Sequence, residues 1–237
     1  MRGILVRTDE AEEMQRLPLF AGVAPEHVAA MLRGAFLQRF PAGVELAREG
    51  EPVDFLHVVV DGQVEIFARY RDRETTVAVI GAGHSFIVAA VVLDRVYLKS
   101  ARSLVPSRVL LIPAEAVRAA FAEDAAFARA LALELAEAYR RLAKELKNQK
   151  LRTGLERLAA WLLLRNAETG GAGSFQLPFD KRILASRLGM APEVLSRSLA
   201  TLRAYGVTVE GPLVRLDDLP SLERLALLSP TIDDPSA

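Results

Sequence analysis

Glu193, Ser196 and Arg197 stand at i, i+3 and i+4, so on a helix an acid, a hydroxyl and a guanidinium share one face. Such a trio can hydrogen-bond to base-pair edges. An arginine fork reaches guanine O6 and N7, a glutamate accepts from cytosine N4, and a serine contacts a neighbouring edge. Catalytic arrangements are missing: there is no paired histidine–carboxylate site, no G-x-x-x-x-G-K loop, no G-x-S-x-G elbow and no metal-ligand spacing. The sequence therefore reads as a non-enzyme. The absence of cysteine removes disulfides, thiolate metal sites, Cys-ligated iron–sulfur clusters and thiol nucleophiles together.

The trio lies in Lys181–Leu199, whose spacing is that of a helix-turn-helix. Two crossing helices need a small residue at their contact, a residue tolerant of positive φ at the turn, and apolar anchors on both sides. Ala185, Gly189 and Leu195 fall at those places, with Ile183, Leu184 and Leu188 as the buried face of the first helix. Pro192 suits the first turn of the second helix, where its missing N–H costs little. Ser198 departs from the pattern, so Leu199 and Leu202 are expected to take over packing. A plain helical hairpin would show the same spacing. Charge favours DNA. Residues 165–205 hold six basic side chains (Arg165, Lys181, Arg182, Arg187, Arg197, Arg203) against three acidic ones (Glu168, Asp180, Glu193), in a chain of zero net charge. Phosphate contacts need such a local patch, although a solvated charged face looks the same residue by residue. Lys181, Arg182 and Arg203 are the expected phosphate contacts.

Other elements must position this unit. Residues 9–37 read as helix, closed by Gly34 and Pro41. From about 38 to 112, short Val- and Ile-rich runs alternate with Gly and Pro, as in a small antiparallel roll. Asp61-Gly62 between two such runs predicts a type I′ hairpin. Further strands are expected at Thr75–Ile80, Leu98–Leu104 and Arg108–Ile112. Helices follow at Glu115–Phe121 and Asp124–Gln149, the second rich in good helix formers. Leu131, Leu135, Ala138 and Leu142 form a 4-3-4 stripe, read either as core packing or as a dimer seam. A helix ~40 Å long at ~1.5 Å per residue favours the seam. Residues 152–167 read as another helix, 169–174 as a loop, Val207–Val209 and Leu213–Leu216 as a small hairpin, Leu219–Leu228 as a last helix, and 229–237 as a frayed tail.

The order roll, long helix, helix-turn-helix resembles the CRP/FNR family of bacterial regulators. Gly50-Glu51-Pro52-Val53-Asp54-Phe55-Leu56 through Val60-Asp61-Gly62-Gln63-Val64-Glu65 resembles the family's "GE…LY.IV.G.V.V" stretch. Gly81–Ile112 resembles its phosphate cassette and closing strands, and residues 178–205 its DNA-reading unit. Glu193-Val194-Leu195-Ser196-Arg197 matches the E-x-x-S-R pattern of the FNR-like branch, which implies a TTGAT-like half-site. The resemblance implies an α+β fold: residues 9–123 as an effector-sensing β-roll, 124–150 as a dimerisation helix, 151–228 as a winged helix-turn-helix and 229–237 as a flexible tail.

It also shows what is missing. Cyclic-AMP-binding members carry Gly-Glu after a Phe in the cassette and Arg-Ser or Arg-Thr further on. Here the cassette reads Ser85-Phe86-Ile87-Val88-Ala89-Ala90, with Ala89 taken as the residue in the Glu's place, and Lys99-Ser100 replaces the Arg pair. A lysine lacks the bidentate fork. The expected effector pocket takes in Phe86, Ala89, Val92, Lys99, Ser100, Leu135 and Ala138; apart from Lys99 and Ser100 its lining, with Ile87, Val88 and Val91, is apolar and suits haem or another flat ligand better than cyclic AMP. The segment Leu177–Arg197 resembles the nitric-oxide-responsive haem-type members, which makes His84 and His27, with His57 as a third histidine, candidate iron ligands. An iron–sulfur cluster is excluded by composition.

The implied partners are double-stranded DNA, a second copy of the chain and, for an activator, RNA polymerase. The implied mechanism is a switch in which an effector in the roll alters packing of the long helices and re-aims the reading heads. Rivals are a cyclic-nucleotide-binding module without DNA activity and a constitutive regulator needing no ligand. No apolar run approaches a membrane span and the N-terminal apolar stretch is too short for a signal peptide, so a cytoplasmic location is expected.

Overall fold

The computed structural model describes residues 8–234. Residues 1–7, where the signal-peptide reading fell, and the last three residues of the expected tail lie outside that range. The chain divides into two compact units, Met1–Ala138 and Tyr139–Ala237. Among the described residues no helix is long and apolar enough to cross a membrane.

In the first unit the expected helix over 9–37 is broken. Helix α1 (Thr8–Gln15) stops before a 3₁₀ turn at Pro18–Phe20, and α2 (Pro25–Arg33) follows, with a proline at the start of both later pieces. A residue preceding proline is pushed out of the α region, so one continuous helix cannot form. Residues 36 and 37 already belong to strand β1 (Phe36–Phe40). Then come β2 (Glu45–Ala47), β3 (Phe55–Asp61), β4 (Gln63–Tyr70), β5 (Arg73–Gly81), β6 (Ser85–Phe86), α3 (Val88–Leu93), β7 (Ser100–Ser103) and β8 (Ser107–Pro113).

These strands make two four-stranded antiparallel sheets, ordered β1-β8-β3-β6 and β2-β7-β4-β5. The hairpin expected at Asp61-Gly62 does not form, because β3 and β4 belong to different sheets. The dipeptide is instead a corner. Gly62 has φ +90°, and a methyl group there would lie 2.8 Å from the Pro106 carbonyl oxygen and from Ser107 Cα. Ser107 Oγ accepts from Gln63 N–H (3.1 Å) and donates to the Val105 carbonyl (2.8 Å), which ties the corner to the loop before β8. Glycine serves here both its left-handed backbone and a close backbone approach.

Helix α4 (Ala114–Glu123) and α5 (Ala125–Leu151) close the roll. Asp124 separates them. Its carboxylate accepts from the Ala24 and Phe127 N–H groups (2.9 Å each), which hold it below the usual carboxylate range and cap the long helix. Phe127 and Leu131 are fully buried in the roll core with Leu56, Val58, Val64 and Leu110.

In the second unit, α6 (Gly154–Glu168) begins with a capping box: the Thr153 side chain accepts from Glu156 N–H, and Glu156 accepts from Thr153 N–H. Next come β9 (Ser174–Gln176), α7 (Lys181–Arg187), α8 (Pro192–Leu202), a 3₁₀ turn at Arg203–Tyr205, β10 (Val207–Glu210), β11 (Leu213–Leu216), α9 (Leu219–Ala226) and α10 (Pro230–Asp233). The three strands form one sheet, ordered β10-β11-β9, beside the two reading-unit helices. The residue read as the end of the Gly-rich loop, Ser174, starts β9. The core is Leu158, Leu162, Leu184, Leu195, Leu202, Val214 and Leu222, each at most 1% exposed.

Within the expected frayed tail, the described residues 229–234 are held in place. Asp233 accepts two hydrogen bonds from the Arg152 guanidinium (2.7 and 2.6 Å), and both side chains are under 10% exposed, at 8% and 6%. Lys147 donates to Thr231, and Arg152 also donates to the Leu227 carbonyl. Residues 227–234 are thus strapped onto the C-terminal part of α5.

Candidate nucleic-acid interface

Helix α8 explains why its polar trio faces outward. Leu195 and Leu202 are buried and Leu199 packs against the same core, giving one apolar stripe. Glu193, Ser196 and Arg197 stand on the remaining surface and are exposed. Ser198 is half-buried, and Leu199 with Leu202 supplies the packing it lacks. Among the described residues no side chain ion-pairs with Glu193 or Arg197. The N-terminal end of α8 starts at Pro192, so the trio occupies its first two turns.

The turn before α8 is set by Gly189 at φ +63°. Helix α7 is capped by Asp180, whose carboxylate accepts from Ile183 N–H (2.9 Å), and buries Ile183, Leu184 and Ala185. Lys181, Arg182 and Arg203 are exposed. Two cations in the first turn of α7 oppose its dipole, a cost that fits groups kept for an external anion. The basic patch is smaller than composition suggests. Arg187 is half-buried with its guanidinium 5.9 Å from the Phe179 ring centroid, and burial lowers its pKa. Arg165 pairs with Glu168 at 3.1 Å. Lys181, Arg182, Arg197 and Arg203 carry the exposed positive charge.

The residues expected to form the effector pocket are distributed unevenly. Phe86 is buried, Val92 and Leu135 pack against the roll core, Ala138 is half-buried and Ala89 is exposed. Ile87 has φ +66°, a conformation that costs a β-branched residue about 1–3 kcal/mol. This is the backbone a glycine after Phe86 would supply. Val88, which follows Ile87, is buried. Lys99 is half-buried and burial lowers its pKa, while Ser100 Oγ already accepts from Glu49 N–H at 3.0 Å.

Among the described residues, neither expected ligand makes a ring contact with Phe86. His27 Nδ1 lies 3.9 Å from Glu123 on α4, and His84 is exposed. The imidazole beside the cassette is His57. It is buried, stacks on Phe86 at a centroid distance of 4.9 Å and meets the Tyr97 ring edge-on at 6.4 Å. Burial pushes its pKa down to about 4, against an opposing pull from the Leu46 and Phe55 carbonyls, and its Nδ1 has no hydrogen-bond partner. A histidine inside the apolar run Phe55–Val60 was the signal for this position. Among the described residues no group of three or more His, Asp or Glu side chains could hold a metal ion.

The stripe expected as a dimer seam divides between buried and exposed residues. Leu131 is fully buried in the roll and Leu135 packs on it, so both face their own core. Further along α5, Tyr139, Leu142 and Leu146 are exposed, at 73%, 50% and 56%, with 3-4 spacing, and Leu151 at the helix end is exposed at 70%.

Comparison with known proteins places both units. Residues 37–124 match the cyclic nucleotide-binding domain, and residues 156–225 the Crp-like helix-turn-helix domain. A CRP-like cAMP-activated global transcriptional regulator of Mycobacterium tuberculosis is 26% identical over 221 residues, 91% of this chain and 99% of that one. A regulatory protein of Silicibacter pomeroyi DSS-3, assigned as cAMP-binding, is 30% identical across 92% of this chain and 99% of its own, with a TM-score of 0.57. FixK2 of Bradyrhizobium japonicum shares the fold, with a TM-score of 0.71 at 24% identity over 82% of this chain and 98% of its own.

Proposed function

Because the chain belongs to the CRP/FNR family and is a DNA-binding transcription regulator of that type, we propose that it reads a TTGAT-like inverted repeat as a homodimer, switched by an effector other than cyclic AMP. The observation that carries this reading is the exposed Glu193–Ser196–Arg197 face, held outward by the buried Leu195 and Leu202. Arg197 would donate two bonds to guanine, Glu193 accept from cytosine, and Ser196 contact the adjoining edge. Lys181, Arg182 and Arg203 would hold phosphates. A two-fold dimer needs half-sites about one helical turn apart, ~34 Å. Tyr139, Leu142 and Leu146, with Ala138, offer the second copy an apolar stripe. The work is done in the cytoplasm, with RNA polymerase as a further partner if the protein activates, and no catalysis is involved.

The relatives' names speak of cyclic AMP, but this cassette has Ala89 and Lys99 where those chemistries call for a carboxylate and a guanidinium fork. Its apolar lining suits a flat hydrophobic ligand, and haem with nitric oxide as its signal is the first to test by absorbance after reconstitution. A protein that leaves haem unbound ends that branch. A cyclic nucleotide is the second reading, favoured by the half-buried Lys99, and calorimetry with cyclic AMP decides it. Either ligand would reach the long helix through Ser85, whose hydroxyl donates to Glu134 on α5. It must bind one packing of the helices better than the other, or nothing shifts.

Competition binding against half-site variants tests the base assignment. Arg197→Ala is expected to lose about 1–3 kcal/mol and to relax choice at the guanine. Unchanged base preference at that position rejects it.

A further inference from the structure

We propose that Arg157 is the positioning residue that fixes the reading turn to the end of the long helix, an inference that rests on the DNA-reading assignment above. Arg157 lies in the first turns of α6 and is buried, at 9% exposure. Its Nε donates to the Leu188 carbonyl (2.9 Å) and its Nη1 to the Arg152 carbonyl (2.7 Å). Leu188 is the C-cap of α7, and Arg152 follows the last residue of α5. Both acceptors are therefore carbonyls at helix C-terminal ends, which lack intrahelical partners and carry partial negative charge. Among the described residues no carboxylate ion-pairs with Arg157. The cation is compensated by two helix ends at once, and a buried charge held this way fixes those ends relative to each other.

Two neighbouring contacts reinforce the joint. The Gln149 side-chain amide packs against Gly189, and Met190 Cε comes within 3.4 Å of where a methyl on Gly154 would stand. Leu188, Gly189 and Met190 thus each meet the segment 149–157, one through Arg157, one through Gln149 and one through Gly154. Helix α8 begins two residues beyond Met190. A rotation of the end of α5 is passed to the turn that aims Glu193, Ser196 and Arg197, while the reading face itself contains none of these contacts. A lysine cannot replace the bridge, because its single nitrogen lacks the divergent Nε and Nη donors of the planar fork.

The test uses the full-length chain and Arg157→Lys. Fluorescence anisotropy is read on one isolated half-site, on the inverted repeat, and on repeats lengthened or shortened by two base pairs. Hydrogen exchange is followed at residues 149–153, 188–190 and 158–163. Half-site affinity is expected to stay within about twofold, while preference for the best spacing falls by about fivefold or more, the lower end of ordinary couplings between sites. Exchange is expected to rise at 149–153 and 188–190 together and to stay slow at 158–163. Equal losses on half-site and repeat, an unchanged spacing preference, or exchange that rises at one end alone would overturn the proposal. Should Arg157→Lys not fold, Gln149→Ala, which removes a half-buried side chain from the same joint, must shift spacing preference in the same direction or the proposal fails. If the wild-type chain prefers no repeat over scrambled DNA, the DNA-reading assignment is what fails, and the exchange measurement still judges Arg157.

Discussion

The buried imidazole of His57 makes the roll acid-sensitive in a window of its own. Its pKa falls from an ordinary 6.5 to about 4, and the leading cause is burial. The unfolded chain therefore takes up a proton near pH 6.5 that the folded roll refuses until about pH 4. Stability from this site is fully present above pH 6.5 and is lost as pH falls towards 4. At about 1.4 kcal/mol per pH unit the whole effect is about 3 kcal/mol, of which about 2–3 kcal/mol is gone by pH 4.5. Carboxylates held below their usual range, such as Asp124, act mostly at lower pH. His57→Phe keeps a ring against Phe86 and removes the titration, so its other costs do not vary with pH. The assay is amide exchange of β3 and β8, corrected for intrinsic rates, from pH 7.5 to 4.5. The wild-type roll should lose about 2–3 kcal/mol more than the variant across that range. Parallel curves for the two proteins would refute the assignment of a neutral, desolvated imidazole.

Three further outcomes follow from packing. Gly62→Ala should destabilise the roll by about 1–3 kcal/mol, since a methyl at φ +90° also meets the Pro106 and Ser107 backbone; thermal melting of the variant checks it. Leu202→Ala should cost the second unit about 2–5 kcal/mol, because the side chain is fully buried, and Trp161, packed near Phe175 and Phe179, reports the unfolding by fluorescence. Asp233→Asn should release the C-terminal strap at a cost of about 3 kcal/mol, seen as faster exchange over 229–234. Burial raises the Asp233 pKa, but the Arg152 and Ser229 hydrogen bonds outweigh it and leave it below normal, so the same release should appear as pH falls through that lowered value.

The reading unit was legible because its constraints are local. Gly189, Pro192 and Leu195 sit within one short segment, and each is demanded by a turn, a helix start or a core contact that spacing reveals. Strands β3, β4, β5, β7 and β8 of the roll were legible one by one for the same reason, but the short β2 and β6, the strand β1 after α2, and the pairing of all of them were not. Asp61-Gly62 has hairpin chemistry, and what overrides it is β8, which lies more than forty residues away and claims β3 for a different sheet. Periodicity likewise cannot say which surface a stripe faces: Leu131 fits a dimer seam and a roll core equally, and Phe127 beside it settles the matter only in three dimensions. Prolines and aspartates in 229–234 read as a loose tail until Asp233 meets Arg152, 81 residues earlier. Arg157, and the burial of His57 against Phe86, escaped for a common reason. A polar residue type gives no sign of burial, and the carbonyls and rings that satisfy it come from other elements.

The central claim is that α8 presents a base-reading face to duplex DNA. Its most direct test is anisotropy of the wild-type chain on a TTGAT inverted repeat and on a scrambled duplex of equal length, both at physiological salt. Specific affinity about a thousandfold or more above the scrambled duplex, with a steep loss of binding on both as salt rises, is the predicted result. Equal affinity for the two duplexes, or no binding to either once effector candidates are supplied, would contradict the account.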